Sequence, residues 1–302
     1  MTLDDRVLPS RSRLPFALGA LGVALLLWGS AWGLFFAPRE TYMGDVQRIM
    51  YIHVPTAWNA MLALTFAFVC ALLSLWRGGF KWDARLEGAL EVGVVLSALL
   101  CMQGSIWARP TWGVWWDWDP RLTTTAVMVF AFAGILVLRQ LVEDPVRRAA
   151  WSAVATIIAF VDVPIVYFSV RWWNSLHQLQ SSPATVSSVF HWPLRINAFA
   201  VLFLMSAFIA LRSRVAGLRL RGELAPPPRV VAPMGSAAAA LALQPVLPVT
   251  GAIEGGWEFV WAAYSVSAAI LGGYAASVYL RYRRELSRLD AQEPRAGQEA
   301  GS

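Results

Sequence analysis

Charge is what this sequence has least of. Asp, Glu, Lys and Arg make up 15% of its 302 residues, where soluble domains carry about 25%. The deficit is also patterned. Twenty-five uncharged residues separate Arg13 from Arg39, and 28 separate Arg48 from Arg77. Each run exceeds the roughly 20 apolar residues that cross about 30 Å of hydrocarbon. A soluble enzyme of this length is thereby excluded. Cysteine is as scarce: Cys70 and Cys101 stand singly inside apolar runs. They form no disulfide framework and no CxxC pair, and they read as small buried side chains. Also missing are H-E-x-x-H, G-x-S-x-G, a phosphate-binding loop and the clustered ligands of a zinc site. The chain thus has no ATPase motif of its own and does not look like a membrane protease. The net charge of +6 points to no nucleic acid, because in a membrane protein the placement of basic residues matters more than their sum.

What is present reads as an all-α, polytopic integral membrane helix bundle. Spans are expected at about 15–36, 52–76, 89–107, 122–138, 151–170, 196–211 and 257–280. The first run is too long for a cleaved signal and is expected to be a retained anchor. Nineteen Lys and Arg fall on the side of the N-terminus (residues 1–14), and six fall on the other. The positive-inside rule makes the first side cytoplasmic, so the N-terminus is inside. Residues 213–256 form an Arg-, Pro- and Ala-rich connection. The sixth span ends inside, and the last is followed by Arg281, Arg283, Arg284 and Arg288. One more crossing must therefore lie between them, and uncharged 230–253 is its candidate despite Pro233, Pro245 and Pro248. The alternative is a flexible linker that leaves the last helix inverted. Asp162, inside the fifth run, is a functional hypothesis by position. Its bland reading is a carboxyl that is protonated, or bonded to backbone freed by Pro164.

The external face concentrates chemistry. His53, His177 and His191 all fall on it, as do half of the 16 tryptophans. Residues 107–121 crowd Trp112, Trp115, Trp116 and Trp118 together with Asp117, Asp119 and Arg121. An aromatic belt needs one or two tryptophans per helix end. Four of them with a glycine and two aspartates leave two readings, such a belt or, as the better fit, a platform for a large planar apolar ligand with arginines to meet its carboxylates. His53 and His177 approach from different helices, so two neutral imidazoles can hold an iron on both faces of a macrocycle. His191 lies nearer the membrane and ranks behind them.

W-G-V-W-W-D-W-D-P-R-L-T resembles the tryptophan-rich signature of the heme-handling proteins of cytochrome c maturation, most closely the C component (CcmC, heme exporter protein C). Q-R-I-M-Y-I-H-V-P, G-S-I-W-A-R-P and V-P-I-V-Y-F-S-V-R-W-W-N-S-L-H-Q are similar to the same family in the same order, so that 15–212 is a six-span heme-handling domain. The resemblance implies heme b as a transient cargo, with His53 and His177 as axial ligands of its iron. It implies a platform of Trp112, Trp115, Trp116, Trp118 and Asp119, supported by Arg48 and Arg121. It implies presentation of heme to a periplasmic heme chaperone, beside an ABC-type ATPase and permease pair, in the bacterial inner membrane. Asp117 and Pro120 depart from the pattern, which expects small or apolar residues there. The related synthases and heme lyase carry a W-x-W-D-P variant whose acidic or lysine continuation is absent here. W-E-F-V-W-A-A-Y-S-V-S-A-A-I-L-G-G-Y with R-Y-R-R-E-L-S-R, in 257–302, resembles the single-span accessory protein of the same pathway (CcmD), which implies a fusion. Other readings are a redox subunit that keeps its heme, a lyase or synthase of the same superfamily, and a scaffold without heme.

Overall fold

Every regular element among the described residues is helical, as the apolar runs require. The computed structural model describes residues 12–178, 186–224 and 255–299, with side chains to residue 288. Among the described residues eight α-helices follow one another: α1 (Leu14–Ala31), α2 (Met50–Arg77), α3 (Phe80–Trp112), α4 (Pro120–Leu141), α5 (Pro145–Ala159), α6 (Asp162–Trp172), α7 (His191–Leu224) and α8 (Trp257–Glu299). With the turns that extend them they give seven segments long and apolar enough to span a bilayer. Hydrocarbon offers peptide groups no water, so each span must close its hydrogen bonds within itself. The protein is an all-α polytopic membrane protein.

Local sequence sets the helix boundaries. Asp119 and Asp144 cap α4 and α5, accepting from the backbone N–H of Arg121 (2.9 Å) and Arg147 (2.7 Å). Pro120 and Pro145 follow them, where the missing N–H costs nothing. The departure at Pro120 is thus a helix start. The fifth run, expected to be continuous, is two helices. Pro164 lacks an N–H and its ring clashes with the carbonyl four residues back, and the chain breaks at Phe160 and Val161. Asp162 therefore opens α6 instead of lying inside a helix, with its Oδ2 buried and unpartnered among the described residues.

The helices α2, α3 and α7 form the centre, with α1 against α7, α4 to α6 against α2 and α3, and α8 along α3 and α7. Small residues (Ala60, Ala63, Ala67, Ala71 and Cys70 on α2) let the backbones close in around Leu64, Leu86, Leu90, Met128 and Phe132. The bundle has two unlike ends. At one lie residues 37–49, 113–119 and 173–178 with the start of α8. At the other, α3 begins well before residue 89 and takes in Asp83 and Glu87, because arginines neutralise them. Arg139 is bidentate to Asp83 (2.7 and 3.0 Å) and reaches Glu87 at 2.9 Å. Arg212 and Arg219 also bind Glu87 (3.4 and 2.7 Å), and Arg212 and Arg281 share Glu91. Four helices thus meet in one ion network. The described part of α7 stops at this arginine end, at Leu224, while Trp257 opens α8 at the other. The expected span at 230–253 lies outside the described residues.

Candidate functional site

One pocket opens at the end opposite the arginine network. Its walls come from α2, α3 and α4, the end of α6 and the segment through Gln178, and it encloses about 1270 Å³ including its open mouth. On α3 the lining includes Cys101, Gly104, Ser105, Ala108, Thr111 and Trp112, spaced as one helix face, with Leu100 and Trp107 beside them. Most are small, which makes the space. A Cβ on Gly104 would stand 3.2 Å from Cε1 of His53, so this glycine lets α3 pass close to the imidazole. On α2 the wall carries His53, Ala57, Trp58 and Met61. Gly113, at φ +76°, ends α3 in a left-handed turn and sends the chain into the tryptophan loop.

Both expected histidine ligands line this pocket. Each is packed edge-on by a tryptophan: Trp107 against His53 (5.4 Å, 81°) and Trp112 against His177 (6.4 Å, 69°). His53 is 7% exposed, and its Nδ1 has no hydrogen-bond partner among the described residues. His177 Nδ1 lies 2.9 Å from the carbonyl oxygen of Gln178 and 3.3 Å from Nη1 of Arg121. The shorter contact assigns the proton: Nδ1–H donates to the carbonyl, and the Nε2 lone pair is left for a ligand. Burial first, and the Arg121 guanidinium second, hold the His177 imidazole below its ordinary value, so it is neutral at pH 7. A neutral imidazole is the form that binds a metal.

The remaining expected site residues separate into two groups. Trp112, Trp116 and Arg121 line the pocket. Trp115 and Trp118 do not: they are 50% and 77% exposed beside its mouth, and Trp115 packs near Phe259 of α8 (6.3 Å). Asp119 is buried and ties two loops together, with Oδ1 capping α4 and Oδ2 accepting from the N–H of Leu176 (2.7 Å), next to His177. Arg48 stands apart. Its guanidinium donates to Asp45 (3.0 Å) and to the carbonyls of Gly33 (2.6 Å) and Ala37 (3.0 Å), which fixes the loop at 37–49 instead of entering the pocket. His191 also stays outside, with Nε2 2.8 Å from the carbonyl of Val186.

Sequence reading missed Trp58, Met61, Gly104 and Tyr167 as lining residues. The signal for Gly104 was legible in the stripe of small residues at helical spacing on α3. Nothing distinguished Trp58 or Tyr167 from aromatics that face lipid.

Asp119→Ala is expected to destabilise α4 by about 1 kcal/mol, the usual cost of a lost N-cap, and to free the segment that carries His177. Hydrogen exchange at residues 173–178 should accelerate, and Asp119→Asn, whose single amide oxygen can cap α4 but whose NH2 cannot accept from the Leu176 N–H, should restore the stability and not the protection. Unchanged exchange at Leu176 in the Ala variant would show that the tether does not hold this loop.

The family model described as heme exporter protein C matches residues 4–226. The chain is 33% identical to heme exporter protein C of Bradyrhizobium diazoefficiens over 228 residues, which are 73% of this chain and 83% of that one. It is 32% identical to the protein of that name from Escherichia coli K12 over 201 residues (65% and 81%). With the Haemophilus influenzae protein it shares 33% over 205 residues (68% and 82%). The family model leaves α8 outside.

Proposed function

The chain belongs to the heme exporter protein C family, and from that premise we propose that it holds heme b between His53 and His177 and presents it to a heme chaperone outside the membrane. The protein serves heme transport in cytochrome c biogenesis. The observation that carries the reading is the pairing, in one open apolar pocket, of two imidazoles from different elements, one buried and unpartnered at Nδ1. Heme is a flat apolar plate with two carboxylates. Burial against Trp107, Trp112 and Trp116 contributes about 25 cal/mol per Å² of apolar area. Arg121, also in the lining, is the guanidinium for a propionate. Trp115 and Trp118, exposed beside the mouth, suit the partner's approach better than the porphyrin face. A protein that passes heme on needs such an opening and needs no nucleophile. The ABC-type ATPase and permease of the pathway would act beside it and supply the energy.

The test is transfer. Heme-loaded protein mixed with the apo form of a heme chaperone should lose its heme spectrum as the chaperone gains one. A six-coordinate spectrum that stays with the membrane protein would overturn delivery and favour a redox subunit.

The nineteen-to-six bias of Lys and Arg supports a bacterial inner-membrane protein with the N-terminus in the cytoplasm and the histidine end in the periplasm. The boundaries proposed above follow: a cytoplasmic start at 1–14, the heme-handling domain at 15–212, and an accessory-like helix with a basic tail at 257–302. Leu224 and Trp257 lie at opposite ends of the bundle, which supports one more crossing between them, at 230–253. Glu258→Cys, in the first exposed turn of α8, should then react with a membrane-impermeant thiol reagent added from the periplasmic side. Reaction only after permeabilisation would reject the eight-span topology.

A further inference from the structure

The helix that the family match leaves out is built into the wall of the pocket. Val260 and Ala263 of α8 complete an apolar cluster with Leu34, Val46 and Ile49, and Trp107 packs against it. Trp107 is in turn the ring that stands edge-on to His53. One turn deeper, Ser267 of α8 accepts a hydrogen bond from Nε2 of Gln103 (2.8 Å), which also reaches Thr56 at 3.4 Å. Gln103 is fully buried and adjoins Gly104, the residue that faces His53 Cε1; Thr56 lies one turn from His53 on α2. At the top of α8, Trp257 lies under the Arg48 guanidinium (5.3 Å) and Tyr264 donates to the Arg48 carbonyl (3.4 Å). Two walls around the His53 imidazole, Trp107 and the stretch of α3 at Gly104, are therefore backed by one helix.

We infer that α8 contributes positioning residues, Trp257 and Ser267 foremost, that fix the plane of the His53 imidazole for heme. The inference rests on the heme reading above. Without Ser267, Gln103 keeps only its longer contact to Thr56, in a place where no water can replace the lost acceptor. Without Trp257, the loop anchored by Arg48 loses its cover, and with it the cluster behind Trp107. Groups that orient a metal's ligands from outside contribute about 10–100-fold in affinity.

The experiment uses the full chain with Trp257→Ala and Ser267→Ala combined, and reads heme affinity together with the low-spin electron paramagnetic resonance of the ferric heme, whose g-values report imidazole orientation. The double variant should bind heme about tenfold more weakly with shifted g-values. Trp257→Phe with Ser267→Thr should restore both, and Tyr279→Ala, on the same helix near the arginine end, should change neither. If the double variant does not accumulate, Ser267→Ala alone decides, since it removes little packing: only the bond from Gln103 and the hydroxyl's own bond to the Ala263 carbonyl within α8 are lost. Wild-type affinity and g-values in the variant that accumulates overturn the role of α8, as does an equal change in Tyr279→Ala. Absence of a bis-imidazole signal from the unsubstituted protein would instead overturn the heme reading, and this inference with it.

Discussion

His177→Ala and His53→Ala should each abolish the six-coordinate heme spectrum of the purified protein and lower its heme affinity by at least about tenfold. The magnitude follows from outer groups that merely orient a ligand, which already contribute about 10–100-fold; removing the ligand itself cannot cost less. The two variants should differ in kind. His53 projects from α2 between Trp107 and the bare backbone of Gly104, so its loss leaves a defined cavity in a rigid wall. His177 sits in a loop held by Asp119 through Leu176 and by its own contact with Gln178. Its loss leaves an opening toward solvent, and added imidazole should restore a six-coordinate spectrum more readily there. His191→Ala should keep wild-type spectrum and affinity, because its Nε2 is engaged by the Val186 carbonyl outside the pocket. Equal loss in all three variants would remove the assignment of His53 and His177 as the ligands. The measurements are an absorption spectrum and a heme titration of each variant in detergent.

Glu87→Ala should be the most destabilising single change at the arginine end, by about 3–5 kcal/mol, the range for removing one partner of a buried ion pair. Glu87 accepts from Arg139, Arg212 and Arg219 at once (2.9, 3.4 and 2.7 Å). Arg139 and Arg212 are 4% exposed at their side chains or close to it, so neither can turn to water. Arg139 would keep Asp83, and Arg212 would keep Glu91, but the site would gain an uncompensated positive charge. Glu285→Ala supplies the comparison. Its partner Arg288 is largely exposed, and such surface pairs contribute about 0–1 kcal/mol. Unfolding by a denaturing detergent, monitored by circular dichroism, measures both. A Glu87→Ala variant no less stable than Glu285→Ala would mean that the network does not hold α3, α4 and α7 together.

Membrane character was legible in the sequence because hydrocarbon imposes a length and a charge rule on any chain that crosses it. The runs without charge gave the spans. The tryptophan loop and the two histidines were legible because their residue types are costly or unusual where they stand. Helix ends were less legible, since a charged residue can extend a span when it is paired. Asp83 and Glu87 look like loop residues until Arg139, Arg212 and Arg219 meet them from helices far away in sequence. The break at Phe160 could have been placed from Pro164, whose steric reach is local.

Composition and spacing by themselves determined a helical membrane bundle with its histidines and half of its tryptophans gathered on one face. These follow from rules that act along the chain: an uncharged run must cross, and an imidazole keeps its chemistry wherever it lies. Tertiary structure alone decided which of the candidate residues share a pocket. It joined His53, His177, Trp112, Trp116 and Arg121, left Trp115 and Trp118 beside the mouth, turned Asp119 into a tether, and used Arg48 to hold a loop. The physical reason is that a side chain's role depends on its partners, and those partners come from helices whose separation in sequence carries no trace of their contact in space.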